Sequence, residues 1–574
     1  MLVLLLLWLL LYFLFWVFGE GVIHLMPRRW AIRASPTETI LTGLIGAVGL
    51  LQLASIFIPI NLASVVGLVL LAAFINGRLL NQSIRNATIY LRTIGREPVW
   101  WLLVAVVLLY AIQRPTNPDS GAYHLPAIRY AERFATIPGL GNLFSRLAFN
   151  SSFFAIGAAV GCTDLVGQTL FPLNGFLLLV FGSYVIQQLW RADTTPALQV
   201  FQVGVLGLSL FFLIRQVNAP TPDVWATLLT LFFFLFWLNG RTQDNKFLTF
   251  LLLALVFTCL TVKLATLPLL LALPLLGYGC RRWVTWQNSV AAMALGGFLL
   301  IPWLVKNVIL SGYLLFPLTE PDLFSVDWKV DPVLAQYEQQ IITYWARFHV
   351  AETEFDPEKL TWPLGRWVSW WWTHWWFWYN WPNRPTFLLA FASPVFVLFL
   401  WVSARKRVQS WSWLTVYAVA FAGFVFWFIK APEFRFGYAF IWTAALLPIG
   451  ALVRHPIHPL VVRVPIIVLM TGLLGYFVVG EDTRKRDRMS SLLWKPQPLS
   501  HRYAGSIPYQ RRWTRSKLAV LVPKAPCKSC FDIEQPCTPF FFNDLQLRGR
   551  TIADGFRRNP NPTDSLAINS NLSK

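Results

Sequence analysis

The chain has 574 residues, 56% of them hydrophobic and 13% charged, with a formal net charge of +21. Soluble domains carry roughly a quarter charged residues, so a soluble fold would have too little polar surface to cover its core. Several uncharged apolar runs approach or exceed the ~18 residues that mark a membrane span. Clusters of Arg and Lys between them, with a basic tail, account for the positive charge and leave no need for nucleic-acid binding.

The chain opens on MLVLLLLWLLLYFLFWVFG, which has no basic region before it; Arg28, Arg29 and Arg33 follow it. This reads as a retained first span with its N-terminus outside, the alternative being an atypical cleaved signal. Further spans are predicted near 38–57, 60–76, 98–113, 167–189, 197–214, 224–239, 247–262, 265–279, 288–310, 386–403, 411–429, 437–453 and 464–480. The fold class is therefore an all-α polytopic membrane protein of about fourteen transmembrane helices with a small mixed α/β or irregular C-terminal tail. Residues 1–97 hold N-terminal spans, 98–480 a transmembrane module with outer loops at 114–166 and 311–385, and 481–574 the extramembrane tail.

Alternate loops carry Arg28/Arg29/Arg33, Arg78/Arg85/Arg92/Arg96, Arg191, Arg241/Lys246, Arg281/Arg282, Arg405/Lys406/Arg407 and Arg454/Arg463. All fall on one side, which the positive-inside rule assigns to the cytoplasm. The long loops and the tail then lie outside. The tail holds 17 Lys/Arg against 8 Asp/Glu, but the rule weakens for segments longer than about 60 residues. Arg484, Lys485, Arg486 and Arg488 argue for the other side. Strands are expected near 518–522 and 539–542, and the last fifteen residues read as disordered.

Four features with chemical potential fall on the outer face. In RPTNPDSGAYHLPAIRYAERF, Asp119 follows a Pro/Asn turn and precedes a segment, Tyr123 to Phe134, that places Leu125, Ile128 and Ala131 on one side of an interface-lying helix. Helical amides there favour an anion, although a capping role fits equally. Asp223 in PTPDVW opens a span; two carboxylates facing one cavity would suit acid/base work or a shared cation. Lys263 and Lys306 lie in apolar sequence, where an ionisable side chain usually faces a cavity or partner, such as a lipid-linked phosphate, or snorkels to headgroups. In KAPEFRFGYAF, Arg435 can grip phosphate bidentately or pair with Glu433 beside it.

The run WVSWWWTHWWFWYNW at 367–381 reads as an interface helix, with sugar stacking as the sharper alternative, and His374 carries little weight. Cys527, Cys530 and Cys537 lack an evident fourth zinc ligand; in an oxidising exterior a disulfide, preferentially Cys530–Cys537, is the better reading. No Walker loop, HExxH, dinucleotide fingerprint or nucleophile elbow is visible.

These residues resemble the GT-C superfamily of integral-membrane glycosyltransferases over roughly 98–450. Asp119 with Tyr123 and His124 resembles the family's carboxylate in the first large outer loop. Asp223 is similar to its second acid, PEFRFGYAF to its Pro/Arg/aromatic signature, and Asn307, Gly312 and Pro317 to its Asn…Gly…Pro segment. The chain also looks like a bacterial group of polytopic membrane proteins. Ser120 follows Asp119 where many members have a second acid, which bears on whether Mg²⁺ or Mn²⁺ is used. The resemblance implies sugar transfer from a polyprenyl-phosphate donor to an envelope glycan or lipid acceptor on the periplasmic or extracellular face of the cell membrane. Asp119 would be the general base, and Asp223 would orient the acceptor or Asp119's partner. Tyr123, His124, Lys263, Lys306, Glu433 and Arg435 would bind substrate. A transporter or flippase of lipid-linked glycans and a non-catalytic envelope-assembly scaffold are the competing classes.

Overall fold

The computed structural model describes residues 1–27, 34–190, 194–239, 245–279, 281, 284–349, 355–378, 382–403, 410–453, 455, 457–479, 507–524, 527 and 529–558. The first unit is built from α1 (Leu2–Leu25), α2 (Pro36–Ala54), α3 (Leu62–Asn76), α4 (Leu80–Ile94) and α5 (Pro98–Ala111). The first outer segment holds α6 (Leu125–Arg133), α7 (Ser152–Val160) and the single turn α8 (Thr163–Val166). The bundle continues through α9 (Pro172–Leu189), α10 (Pro196–Leu208), α11 (Pro222–Leu238), α12 (Lys246–Val262), α13 (Ala272–Gly279) and α14 (Trp286–Ser311). The second outer segment carries α15 (Pro332–Phe348) and α16 (Leu364–Trp378); α17 (Asn383–Ser403), α18 (Trp411–Lys430), α19 (Phe434–Leu452) and α20 (Pro459–Val479) complete the bundle.

Ten helical segments among the described residues are long and apolar enough to cross a membrane, so the protein is a multi-pass all-α membrane protein. Four of the other predicted spans are shorter apolar helices: 98–111, 222–238, 246–262 and the 264–279 stretch, which begins as a tight helix around Pro268.

The helices pack through small residues where backbones meet. A Cβ on Gly43 would lie 1.9 Å from the Phe15 carbonyl oxygen and one on Gly19 2.0 Å from that of Thr39, so α1 and α2 touch backbone to backbone. Helix α2 starts cleanly because Ser35 and Glu38 form a capping box. Helix α11 is buried along almost its whole length, from Pro222 to Trp237, and packs on α9, α12 and α19. It is hydrophobic all round, as a helix at the centre of a bundle must be.

Three features depart from the sequence reading. The segment 77–97 is not a plain loop: α4 is an amphipathic helix against α1, with Tyr12 Oη donating to the Ala87 carbonyl at 2.7 Å. Within the loop 114–166, every residue of α7 is buried. Nine residues cannot span a bilayer at 1.5 Å per residue. The helix instead wedges in beside α12, with Ser151 Oγ donating to the Val262 carbonyl at 2.8 Å and Thr261 Oγ1 to Ser152 Oγ at 2.9 Å. In the tail, β1 (Tyr509–Trp513) pairs antiparallel with β2 (Ala519–Pro523) and β3 (Leu545–Leu547) with β4 (Phe556–Arg558). The predicted strand near 539–542 is absent, because its phenyl rings cover other surfaces: Phe540 lies against Phe144, and Phe541 and Phe542 sit under Arg512 and Arg558.

The tail is seated on the two outer segments. Val520, Leu545 and Phe556 share a core with Leu140, Leu143, Phe144, Tyr313, Phe316 and Val330. Phe556 N–H donates to the Pro138 carbonyl (2.9 Å), and Arg548 grips Asp327 with two bonds of 2.8 and 3.0 Å. The tail therefore lies on the same side as the loops. Basic residues invoked for orientation at 28, 29, 33, 191, 241, 282, 405–407, 454, 484–486 and 488, and the last fifteen residues, lie outside the described residues.

Candidate functional site

Helix ends deliver the charged residues to one place. Helix α11 begins at Pro222, whose fixed φ suits a first helical position, with the Thr221 hydroxyl accepting from Asp223 N–H at 3.3 Å. Asp223 is thus held at the helix N-terminus, where the dipole favours an anion. Antiparallel α12 ends beside it at Lys263, which turns extended before the chain coils again. Helix α19 begins just after the Pro432–Glu433 turn and puts Arg435 in its first turn. Asp119 comes from outside the bundle, at the entrance to a wide turn over 120–124 that leads into α6.

Together they form one ion network. The Arg435 guanidinium lies 2.9 Å from Asp119 and 3.5 Å from Asp223, with the Glu433 carboxylate 3.7 Å away. The Lys263 ammonium pairs with the other Asp223 oxygen and lies 3.9 Å from the centre of the Phe436 ring. Asp223 is buried, whereas Asp119 and Arg435 keep about a fifth of their side chains exposed (20% and 18%). Trp345 of α15 stands over Arg435 at 5.5 Å, closing the network from the second outer segment.

The surroundings set the protonation states. Burial pushes the Asp119 carboxyl up, but Arg435 foremost, then His124 and Arg146, pull it below the usual carboxylate range, so it is ionised at neutral pH. Burial brings His124 down to about 4 against the pull of Asp119 and Asp223, so its ring is neutral. Burial, reinforced by Asp119, raises the Tyr123 phenol well above its ordinary value. His124 Nδ1 and Ser120 Oγ are buried without a hydrogen-bond partner among the described residues. Such orphaned polar groups beside Asp119 are where a hydroxylated ligand would gain hydrogen bonds.

Of the residues singled out in the sequence, Asp119, Asp223, Lys263, Glu433 and Arg435 meet in this network, with Tyr123 and His124 on the turn that carries Asp119. The Arg435–Glu433 pairing exists, but as one arm of the larger network. Lys306 stands apart. It is buried in α14 and makes no ion pair among the described residues. Its helix face is shared with Trp303, which exchanges reciprocal hydrogen bonds with Asn150 (2.8 and 2.9 Å). Asn307 and Gly312 turn the chain after α14: Asn307 Nδ2 donates to the Leu314 carbonyl, and Gly312 takes a left-handed φ of 83°. His374 stacks on Trp370, away from the network. Cys530 and Cys537 form a disulfide, and buried Cys527 directs its thiol to the Ser529 carbonyl.

Arg146 escaped the sequence reading. It acts on Asp119 and is held by Glu338 of α15 at 3.2 Å, whose other oxygen accepts from Ser145 Oγ at 2.5 Å. Only Glu338, an acid on the apolar face of an amphipathic helix, hinted at a buried basic partner.

The guanidinium occupies the bridging position between Asp119 and Asp223. This donor set therefore does not fit a divalent cation shared by the two acids.

No curated protein and no solved structure matches the chain. A family model described as "Domain of unknown function (DUF8201)" matches residues 1–442, a range that contains the whole ion network. The chain belongs to that family.

Proposed function

We propose that the protein is a GT-C-type inverting glycosyltransferase with about fourteen membrane crossings. It moves a sugar from a polyprenyl-phosphate donor to an envelope glycan or lipid acceptor on the non-cytoplasmic face of the cell membrane. One observation carries this reading: two carboxylates and two cations from four separate chain segments converge at one end of the bundle, beneath both outer segments. The side rests on the positive-inside rule applied to the alternate basic loops.

Asp119, ionised and about one-fifth exposed, accepts the proton of the acceptor hydroxyl. The freed oxygen attacks the anomeric carbon from the face opposite the phosphate, and the bond from that carbon to the phosphate oxygen breaks. Polyprenyl phosphate leaves with the electron pair. Lys263 and Arg435 meet the charge on the departing phosphate. Asp223 fixes both cations from below, since it is buried and touches each of them. His124 is neutral and Tyr123 protonated, so both serve as hydrogen-bonding walls.

Asp119→Asn is expected to abolish glycan transfer in cells lacking the native protein while the variant inserts normally. Lipid-linked and envelope glycans compared by mass spectrometry between wild type, deletion and variant provide the measurement. Wild-type glycans in the Asp119→Asn strain would remove Asp119 from the chemistry.

A further inference from the structure

We infer that the disulfide-closed loop of the tail is a clamp on the Asp119 turn, with Phe531 as its positioning residue; its consequence for catalysis rests on the site proposed above. The contact is direct. Phe531 N–H donates to the Gly121 carbonyl at 2.9 Å. The Phe531 ring lies flat on Gly121, so close that a Cβ there would stand 2.3–2.5 Å from three ring carbons. Gly121 is two residues from Asp119 and belongs to the turn that carries Tyr123 and His124.

Within the loop, a turn bond from Ile533 N–H to the Cys530 carbonyl (2.9 Å) spans Phe531. Phe531 takes a φ of 45°, a left-handed conformation that a residue with a side chain holds only where the surroundings impose it. The imposition comes through Cys537. Leu521 N–H donates to the Pro536 carbonyl (2.9 Å) and Thr538 N–H to the Leu521 carbonyl (3.0 Å), which fixes Cys537 to β2. Strand β2 is rooted in the core shared with the outer segments through Val520. The disulfide transmits that anchorage to Cys530, and Phe531 is the next residue. Closing a short loop removes conformations that the open chain would otherwise sample. The tail thus makes the geometry of the Asp119 turn conditional on an oxidised Cys530–Cys537 pair, and it does so from beyond the family match at residues 1–442.

The test is amide hydrogen exchange of the full-length protein in lipid nanodiscs, reading peptides over residues 117–126 against the α11 peptide as internal control. Tris(2-carboxyethyl)phosphine is the reductant; it becomes the phosphine oxide while the disulfide takes up two electrons and two protons. Reduction, Cys530→Ser/Cys537→Ser and Phe531→Gly are each expected to speed exchange over 117–126 at least tenfold, with α11 unchanged. Phe531→Gly accepts the left-handed backbone and keeps the disulfide, so it isolates the ring. Phe531→Tyr and Cys527→Ser should behave as wild type. Unchanged exchange over 117–126 in Phe531→Gly and after reduction overturns the clamp, and so does equal acceleration in α11. Because the readout is local protection, it can succeed even where Asp119→Asn leaves glycans untouched, which separates this proposal from the assignment of the reaction.

Discussion

Removing Arg435 tests the electrostatic logic of the site most sharply. The network counts three carboxylates (Asp119, Asp223, Glu433) against two cations (Arg435, Lys263). Arg435→Gln leaves Asp119 with no cation in contact and Asp223 with Lys263 alone. Deleting one partner of a buried ion pair costs about 3–5 kcal/mol. Because Asp119 and Arg435 remain 20% and 18% exposed, we expect the lower end, about 3 kcal/mol. Asp119→Asn in the same background removes the stranded charge and keeps the Asp223–Lys263 pair, so the double variant should regain about 2 kcal/mol, within the range of coupling for residues in contact. Unfolding by SDS from bicelles, followed by tryptophan fluorescence, measures all four corners of the cycle. The pH profile supplies an independent sign. In wild type the Asp119 pKa is depressed, so its contribution is present above about pH 4 and is lost as pH falls through the folded-state value. Without Arg435, burial dominates and raises that pKa, so Arg435→Gln should gain stability on acidification from pH 7 toward 5. A double variant no more stable than Arg435→Gln, or a single variant with a flat profile over that range, would refute the reasoning.

Other consequences are equally specific. Gly43→Ala forces a methyl to 1.9 Å from the Phe15 carbonyl and should cost about 3 kcal/mol, the upper end for overpacking, visible as lost monodisperse protein in detergent. Glu338→Gln weakens the hold on Arg146 and Ser145 and should cost about 1.5–3 kcal/mol in the SDS titration, as expected for hydrogen bonds to a charged group. Arg548→Ala, which breaks a two-bond but exposed pair with Asp327, should cost no more than about 1 kcal/mol by the same method.

The spans were legible because long apolar runs have one physical solution in a bilayer, a hydrogen-bonded helix. Where that logic loosens, so does the reading. Helix α7 is apolar but far too short to span, and only its tertiary seat between α6 and α12 makes it a helix. The Phe-rich stretch 539–542 has strand composition, yet its rings serve as covers, a choice made by neighbours that sequence does not reveal. Asp119, Asp223, Lys263 and Arg435 stood out because a charge in or beside an apolar run demands explanation. The same signal picked Lys306, which the fold seats apart from them; charge in apolar sequence says that a residue is unusual but not whom it meets. Arg146 and Phe531 carry no such mark. A loop arginine and a phenylalanine beside a cysteine are ordinary until the chain brings one within electrostatic reach of Asp119 and the other onto Gly121.

The two ends of the bundle bear on the choice between transfer and transport. The ion network caps the starts of α11 and α19, while a cavity of about 580 Å³ lies at their far ends, lined by Tyr184, Phe236, Asn239, Ser410, Trp413 and Val453. Among the described residues that cavity has carboxylate lining from Glu38, which caps α2, and no lining cation. Between the two ends run about 20 Å of α11, at 1.5 Å per residue from Asp223 to Phe236, packed without interruption by Trp225, Leu228, Leu229, Phe232 and Phe233. Transporters place their polar sites near the midplane, at broken helices that can face either side. Here the midplane portion of the central helix is unbroken and aromatic, and the charged residues sit at helix ends beneath a cover of outer segments and tail. Among the described residues, charged groups gathered at one end with an unbroken aromatic helix behind them favour the proposed transfer on one face over alternating access.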